Sequence, residues 1–188
     1  MHTIFRWCAS VVFAVWASCV HLAPASAAGV AGAGGLPWAV IDKTRAELRV
    51  FHADGALAGQ TPVLLGAELG DHSVAGVGER TQSGLLRPGD RTTPSGRFVS
   101  RPGYNDHGEA VVWVDYDAAF AIHRLRRGPL QASRQERLGS ADPLRRRVSA
   151  GCVVVPEVFF DRVVVPLLGR GPAIVVILPE ETSTRSPS

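Results

Sequence analysis

From residue 37 to residue 180 the apolar residues fall into short runs, each broken by Gly, Pro or Asp before a long helix could accumulate. Trp38–Asp42 and Glu47–His52 flank a short turn, and Ala53-Asp54-Gly55 turns the chain toward Thr61–Leu65. Gly96–Arg101, Ala110–Asp115, Ala119–Arg124, Cys152–Val155 and Ala173–Leu178 repeat the pattern. Short β-branched and aromatic runs bounded by turn formers read as strands. Helical readings are confined to Pro129–Leu138 and to a stretch running from Pro156, which suits the first position of a helix, to about Val165. The pattern predicts a mainly β domain over residues 37–180, a sandwich or barrel with one or two short helices. Residues 66–94, rich in Gly, Asp, Arg and Thr, read as one long loop, and a loop of that length in a compact domain is usually functional.

The flanks read differently. Arg6 precedes an apolar run, Trp7–Val20, and Ala25-Ser26-Ala27 supplies small residues at the spacing of a secretory cleavage site. The run is short for a membrane span, which needs about 20 apolar residues. Residues 1–27 are therefore expected to be a signal peptide, with an uncleaved anchor as the alternative. Lipoprotein processing at Cys19 is disfavoured by Trp16, which stands where a small aliphatic residue is usual. Residues 28–36 are a Gly/Ala-rich leader, and residues 181–188 read as a frayed tail. A length of 188 residues with 46% apolar content fits one globular domain and excludes a disordered chain. A net charge of +3 favours anionic partners weakly and does not indicate nucleic acid. Lys43 is the sole lysine among the 20 basic residues.

Cleavage after Ala27 removes Cys8 and Cys19 and leaves Cys152 alone. A lone cysteine in an oxidising compartment is buried and inert, paired between molecules, or reactive. A reactive one needs a base, and the candidates are His52, His72, His107 and His123, all preceding Cys152. His123 is the best placed, because it ends the apolar strand Ala119–Ile122 and faces a charged loop. Neither a cofactor motif nor a metal-ligand pair such as His-x-x-x-His is present, so no metal is expected. Gly151 permits a tight turn just before Cys152, and backbone N–H groups in such a turn suit an oxyanion.

Three segments carry a resemblance when taken in order: Thr93-Pro94-Ser95-Gly96-Arg97-Phe98, then Ile122-His123, then Ser149-Ala150-Gly151-Cys152. Their order and spacing, over about residues 37–180, resemble the L,D-transpeptidase catalytic domain (YkuD-type), in a divergent subgroup where Gly-Cys runs into Val153-Val154-Val155-Pro156. The resemblance implies an L,D-transpeptidase-like β fold and a cysteine acyltransferase acting on peptidoglycan stem peptides in the periplasm. Cys152 matches the nucleophile and His123 the base, and the backbone carbonyl of Arg124 matches the group that orients the imidazole. Ser149 and Gly151 match small residues shaping the oxyanion site. Cys152 would attack the carbonyl of the third stem residue and expel D-alanine, and a stem amine, a D-amino acid, a protein lysine or water would resolve the thioester. Carbapenem-type inhibitors are implied as covalent ligands.

Two positions depart from the family pattern. Ala150 stands where the commonest motif has His, and Val154 stands where Arg or Asn is frequent. Both changes remove polar groups from the substrate side. The Arg-rich segment 124–147 is a candidate lid holding stem carboxylates, with Arg147 the favoured contact. Two other readings stand beside this one. A sortase-like transpeptidase would need an Arg after the cysteine, Arg162 or Arg170. A wall-binding domain without turnover would have lost activity through Ala150 and Val154. The sequence does not specify an oligomeric state.

Overall fold

A computed structural model describes residues 34–180. The expected signal segment, most of the leader and the tail at 181–188 lie outside the described residues.

Among the described residues there are ten strands and a few short helices. Strands β1 (Trp38–Asp42), β2 (Glu47–Phe51), β3 (Leu57–Pro62) and β4 (Leu65–Gly66) lead to helix α1 (Val77–Ser83). Strands β5 (Gly96–Tyr104), β6 (Ala110–Asp115) and β7 (Phe120–Arg124) then precede helix α2 (Gln131–Leu138). A 3-10 turn at Pro143–Arg146 leads into β8 (Arg147–Ser149) and β9 (Val153–Val155). A helical run follows, made of α3 (Glu157–Phe159), a π turn (Phe160–Val164) and α4 (Val165–Leu168), and β10 (Ala173–Ile177) is the last element among the described residues. The mainly β expectation holds.

Eight strands make one sheet in the order β3-β2-β1-β10-β5-β6-β7-β9, and β4 pairs with β8 apart from it. The long strand β5 joins two halves: Gly96–Ser100 pairs with β10, and Arg101–Tyr104 pairs with β6. Apolar residues from both halves share one core. Ile41, Leu48, Val50, Val175 and Ile177 meet Val112, Val114, Ile122, Val153 and Val155, with Phe160, Val164 and Leu168 of the helical run packed among them. Strand β1 is buried on both faces. Ala39 and Ile41 enter that core, while Trp38 and Val40 enter a second cluster in which Trp38 stacks on Phe51 at 3.8 Å. Such double burial explains a continuous apolar run where an alternating strand would read half-polar.

Several boundaries differ from the sequence reading. The strand expected at Thr61–Leu65 is split into β3 and β4. The hairpin closes at His52–Ala56, where the His52 N–H donates to the Ala56 carbonyl, so pairing resumes at Leu57. The segment read as one loop, 66–94, contains α1. Glycines in the left-handed region bound this helix, Gly76 at φ 73° and Gly84 at φ 72°. It is short and polar, so no apolar periodicity betrayed it. Strand β9 begins at Val153, leaving Cys152 in the turn before it.

Candidate active site

Strands β7 and β9 run parallel, with Ile122 beside Val153 and His123 beside Val154. Side chains alternate faces along each strand. Ile122, Val153 and Val155 point into the core, so Ala121, His123, Cys152 and Val154 share the opposite face. That face floors a cleft of about 450 Å³. Val111 and Trp113 of β6 line it further, with Tyr104, Asn105, Tyr116, Arg126 and Arg134. Leu138 is buried with Leu64, Leu125 and Val154, which anchors α2 and carries Arg134, one turn earlier, over the cleft.

The imidazole has a defined tautomer. His123 Nδ1 lies 2.8 Å from the Arg124 carbonyl oxygen. A carbonyl only accepts, so Nδ1 carries the proton and Nε2 is left as the free base. Arg124 is itself held: its guanidinium pairs with Asp161 at 2.9 Å and lies over the Phe160 ring at 5.3 Å to the centroid. Burial pushes the His123 pKa down to about 4; the Arg124 carbonyl opposes this, and Arg126 adds to it. Burial also pushes the Cys152 thiol up, against the opposing pull of the Ala121 backbone and of Arg126. The resting pair is therefore a thiol and a neutral imidazole. The arrangement suits proton removal in step with attack.

The turn before the nucleophile is tightly built. Ser149 is buried, its hydroxyl donates to the Cys152 carbonyl at 2.6 Å, and it accepts from the Gly151 N–H at 3.1 Å. Gly151 sits at φ +122°, which disfavours any side chain there. The Cys152 thiol faces the Ala119 carbonyl at 3.6 Å, and Ala119 itself adopts a left-handed φ of 52°. No acceptor for the Cys152 N–H is found among the described residues, so this donor is free for a ligand oxygen.

Arg147 is placed elsewhere, which corrects its nomination as a substrate contact. Its guanidinium donates to the Lys43 carbonyl and to Glu180, each at 2.9 Å, and it does not line the cleft. A buried arginine must find a carboxylate, and this one finds Glu180. The arginines that line the cleft are Arg126 and Arg134. Arg126 lies 3.0 Å from Glu109, and Arg134 has no side-chain partner among the described residues. Exposed His52 and His72 lie outside the cleft, whereas His107 is on its rim. Neither Arg162 nor Arg170 lines it. Among the described residues no His, Cys, Asp or Glu cluster forms a metal-ligand set.

No family model and no curated protein matches this sequence. Solved structures do. The helical cell shape determining protein Pgp2 from Campylobacter jejuni superposes with a TM-score of 0.50 at 17% identity, over 78% of this chain and 49% of Pgp2. An L,D-transpeptidase from Mycobacterium smegmatis gives 0.43 at 15% identity, over 76% of this chain and 58% of that one. The catalytic domain of an E. faecium L,D-transpeptidase gives 0.39 at 18%, over 77% and 98%. This chain thus spans about half the length of Pgp2. The Pgp2 superposition shows a shared fold, and at this identity the fold alone.

Proposed function

We propose that this domain is a cysteine acyltransferase of the L,D-transpeptidase type, acting on peptidoglycan stem peptides outside the cytoplasm. One observation carries the reading: Cys152, in the turn that enters β9, and His123, on the adjacent strand β7, line the same cleft, with the imidazole tautomer fixed by the Arg124 carbonyl. The order of Thr93–Phe98, His123 and Ser149–Cys152 supports it, as does a fold shared with a cell shape determining protein.

As the thiol attacks the carbonyl of the third stem residue, His123 Nε2 takes its proton. The Cys152 N–H receives the developing oxyanion. The imidazolium then protonates the departing D-alanine, leaving a thioester. Arg126 and Arg134 meet carboxylates of the stem peptide, and Tyr104, Trp113 and Tyr116 cover its apolar parts. An acceptor amine gives a cross-link, and water gives trimming. Carbapenems acylate the same sulfur.

The test is mass spectrometry of purified stem tetrapeptides after incubation with the protein and with its Cys152→Ala variant. Loss of D-alanine with the wild type alone supports the proposal. An unchanged tetrapeptide with an unreactive thiol supports a wall-binding domain without turnover, the reading that the raised thiol pKa favours.

A further inference from the structure

Lys43 is among the largest fully buried side chains of the described residues, and it is charged. Its ammonium lies 2.6 Å from Asp71 Oδ1 and 3.5 Å from Glu180 Oε1, and it donates to the carbonyl oxygens of Gly70 and, at 3.1 Å, of Thr93. Burying an ammonium is costly unless it is fully paired, so this cluster is an investment in place. Thr93 is also wholly buried, and its hydroxyl makes two hydrogen bonds. It accepts from the Gly66 N–H at 2.8 Å and donates to the Gly151 carbonyl at 2.7 Å. Gly151 packs so closely on this segment that a Cβ there would sit 3.1 Å from the Thr92 carbonyl oxygen.

The Gly151 carbonyl and the Cys152 N–H belong to one peptide group, and no peptide bond among the described residues is cis. In a trans peptide the C=O and N–H point in opposite directions. Fixing the carbonyl on Thr93, which lies outside the cleft, therefore aims the Cys152 N–H away from Thr93.

We infer that Thr93, itself held by Lys43, is the positioning residue for the oxyanion donor of this site: its hydroxyl sets the plane of the Gly151–Cys152 peptide. The inference rests on the acyl-transfer reading, but its test does not need the stem peptide. Attack on a carbonyl develops an oxyanion, whereas alkylation of a thiol by iodoacetamide displaces iodide and needs none. Loss of an oxyanion donor costs about 10²–10³-fold, and misaiming one is expected to cost roughly ten- to a hundredfold.

The experiment follows acylation of Cys152 by p-nitrophenyl acetate, as the burst of p-nitrophenolate, beside alkylation by iodoacetamide. In Thr93→Val acylation should fall roughly ten- to a hundredfold while alkylation stays within about twofold. Thr93→Ser, which keeps the hydroxyl, should keep both rates. Parallel loss of both rates in Thr93→Val, or no loss of either, overturns the inference. So does loss of acylation in Thr93→Ser, an arm that reads out even if Thr93→Val does not fold. A wild type that gives an ester burst but leaves stem tetrapeptide intact refutes the peptidoglycan reading and leaves this inference standing. A wild type that gives no burst overturns this inference.

Discussion

Two polar regions flank the turn at Ser149–Cys152, and they are opposites. On one side Lys43, Asp71, Arg147 and Glu180 form a closed network in which each charge faces an opposite charge. On the other side the cleft holds Arg126, with one carboxylate near it, and Arg134, with no side-chain partner among the described residues. Each region takes at least one arginine from the Arg-rich segment 124–147: Arg147 on the closed side, Arg126 and Arg134 on the open one. Pairing separates them. A cation whose counter-charge is supplied within the fold is spent on structure, and a cation left without one is available to an anionic ligand. The closed region should therefore answer to stability measurements and the open one to activity measurements.

The largest effect expected is on the open side. Cys152→Ala should abolish turnover of stem tetrapeptide, about ten-thousand-fold or more, because nucleophile and base act as a unit. The free energy of urea unfolding should fall by no more than about 1 kcal/mol, since a small half-buried sulfur is lost. Retained turnover in this variant would make Cys152 structural and end the separation. Next in size is the closed side. Arg147→Gln leaves the Glu180 carboxylate short of its guanidinium partner and should cost about 3 kcal/mol in urea unfolding. The folded variant should retain its KM. A stable Arg147→Gln protein with weakened peptide binding would return Arg147 to the cleft and reverse the assignment.

The same contrast explains what was legible in the sequence. His123 and Cys152 could be read because a histidine ending an apolar strand and a glycine before a lone cysteine are local patterns. The Arg124 carbonyl is also local, being one residue from the ring it orients. Arg147 was misplaced because proximity in sequence to Ser149 says nothing about which face of the turn its side chain leaves from. Its partner, Glu180, lies 33 residues away. Lys43 carried a weak signal as the sole lysine, but its partners at 70, 71, 93 and 180 come together only in three dimensions. The strands were legible from short bounded runs. Helix α1 was not, because two glycine caps, rather than an amphipathic face, define it.

A smaller effect sharpens the open side. Arg134→Gln should raise KM for stem tetrapeptide about tenfold, the value of one charge-assisted hydrogen bond, with kcat nearly unchanged. A peptide whose carboxylates are amidated should bind wild type and variant alike. Arg137→Gln serves as the control, because Arg137 donates to the Arg145 carbonyl at 3.1 Å and does not line the cleft. Equal loss in both variants would mean that α2 contributes only general positive charge.

The smallest effect is in the pH profile, and it follows from how the open cleft treats its base. Burial, with Arg126 and Arg134 adding to it, disfavours the imidazolium and holds the His123 pKa at about 4. The base is therefore neutral at pH 5 as well as at pH 7. Acylation of the free enzyme by stem tetrapeptide, read as kcat/KM, should fall less than about twofold between these values, whereas an ordinary histidine near 6.5 would lose about twenty-five-fold. Stability has the matching sign. Above about pH 6.5 the group is neutral in both folded and unfolded chains and contributes no slope. As pH falls from there toward 4, the unfolded chain takes up the proton first and the fold loses stability. Arg134→Gln removes one of the cations that disfavour the imidazolium, so its acid limb should move to higher pH. A wild-type limb near 6.5, with no shift in Arg134→Gln, would mean that the cleft's unpaired charge does not reach the base.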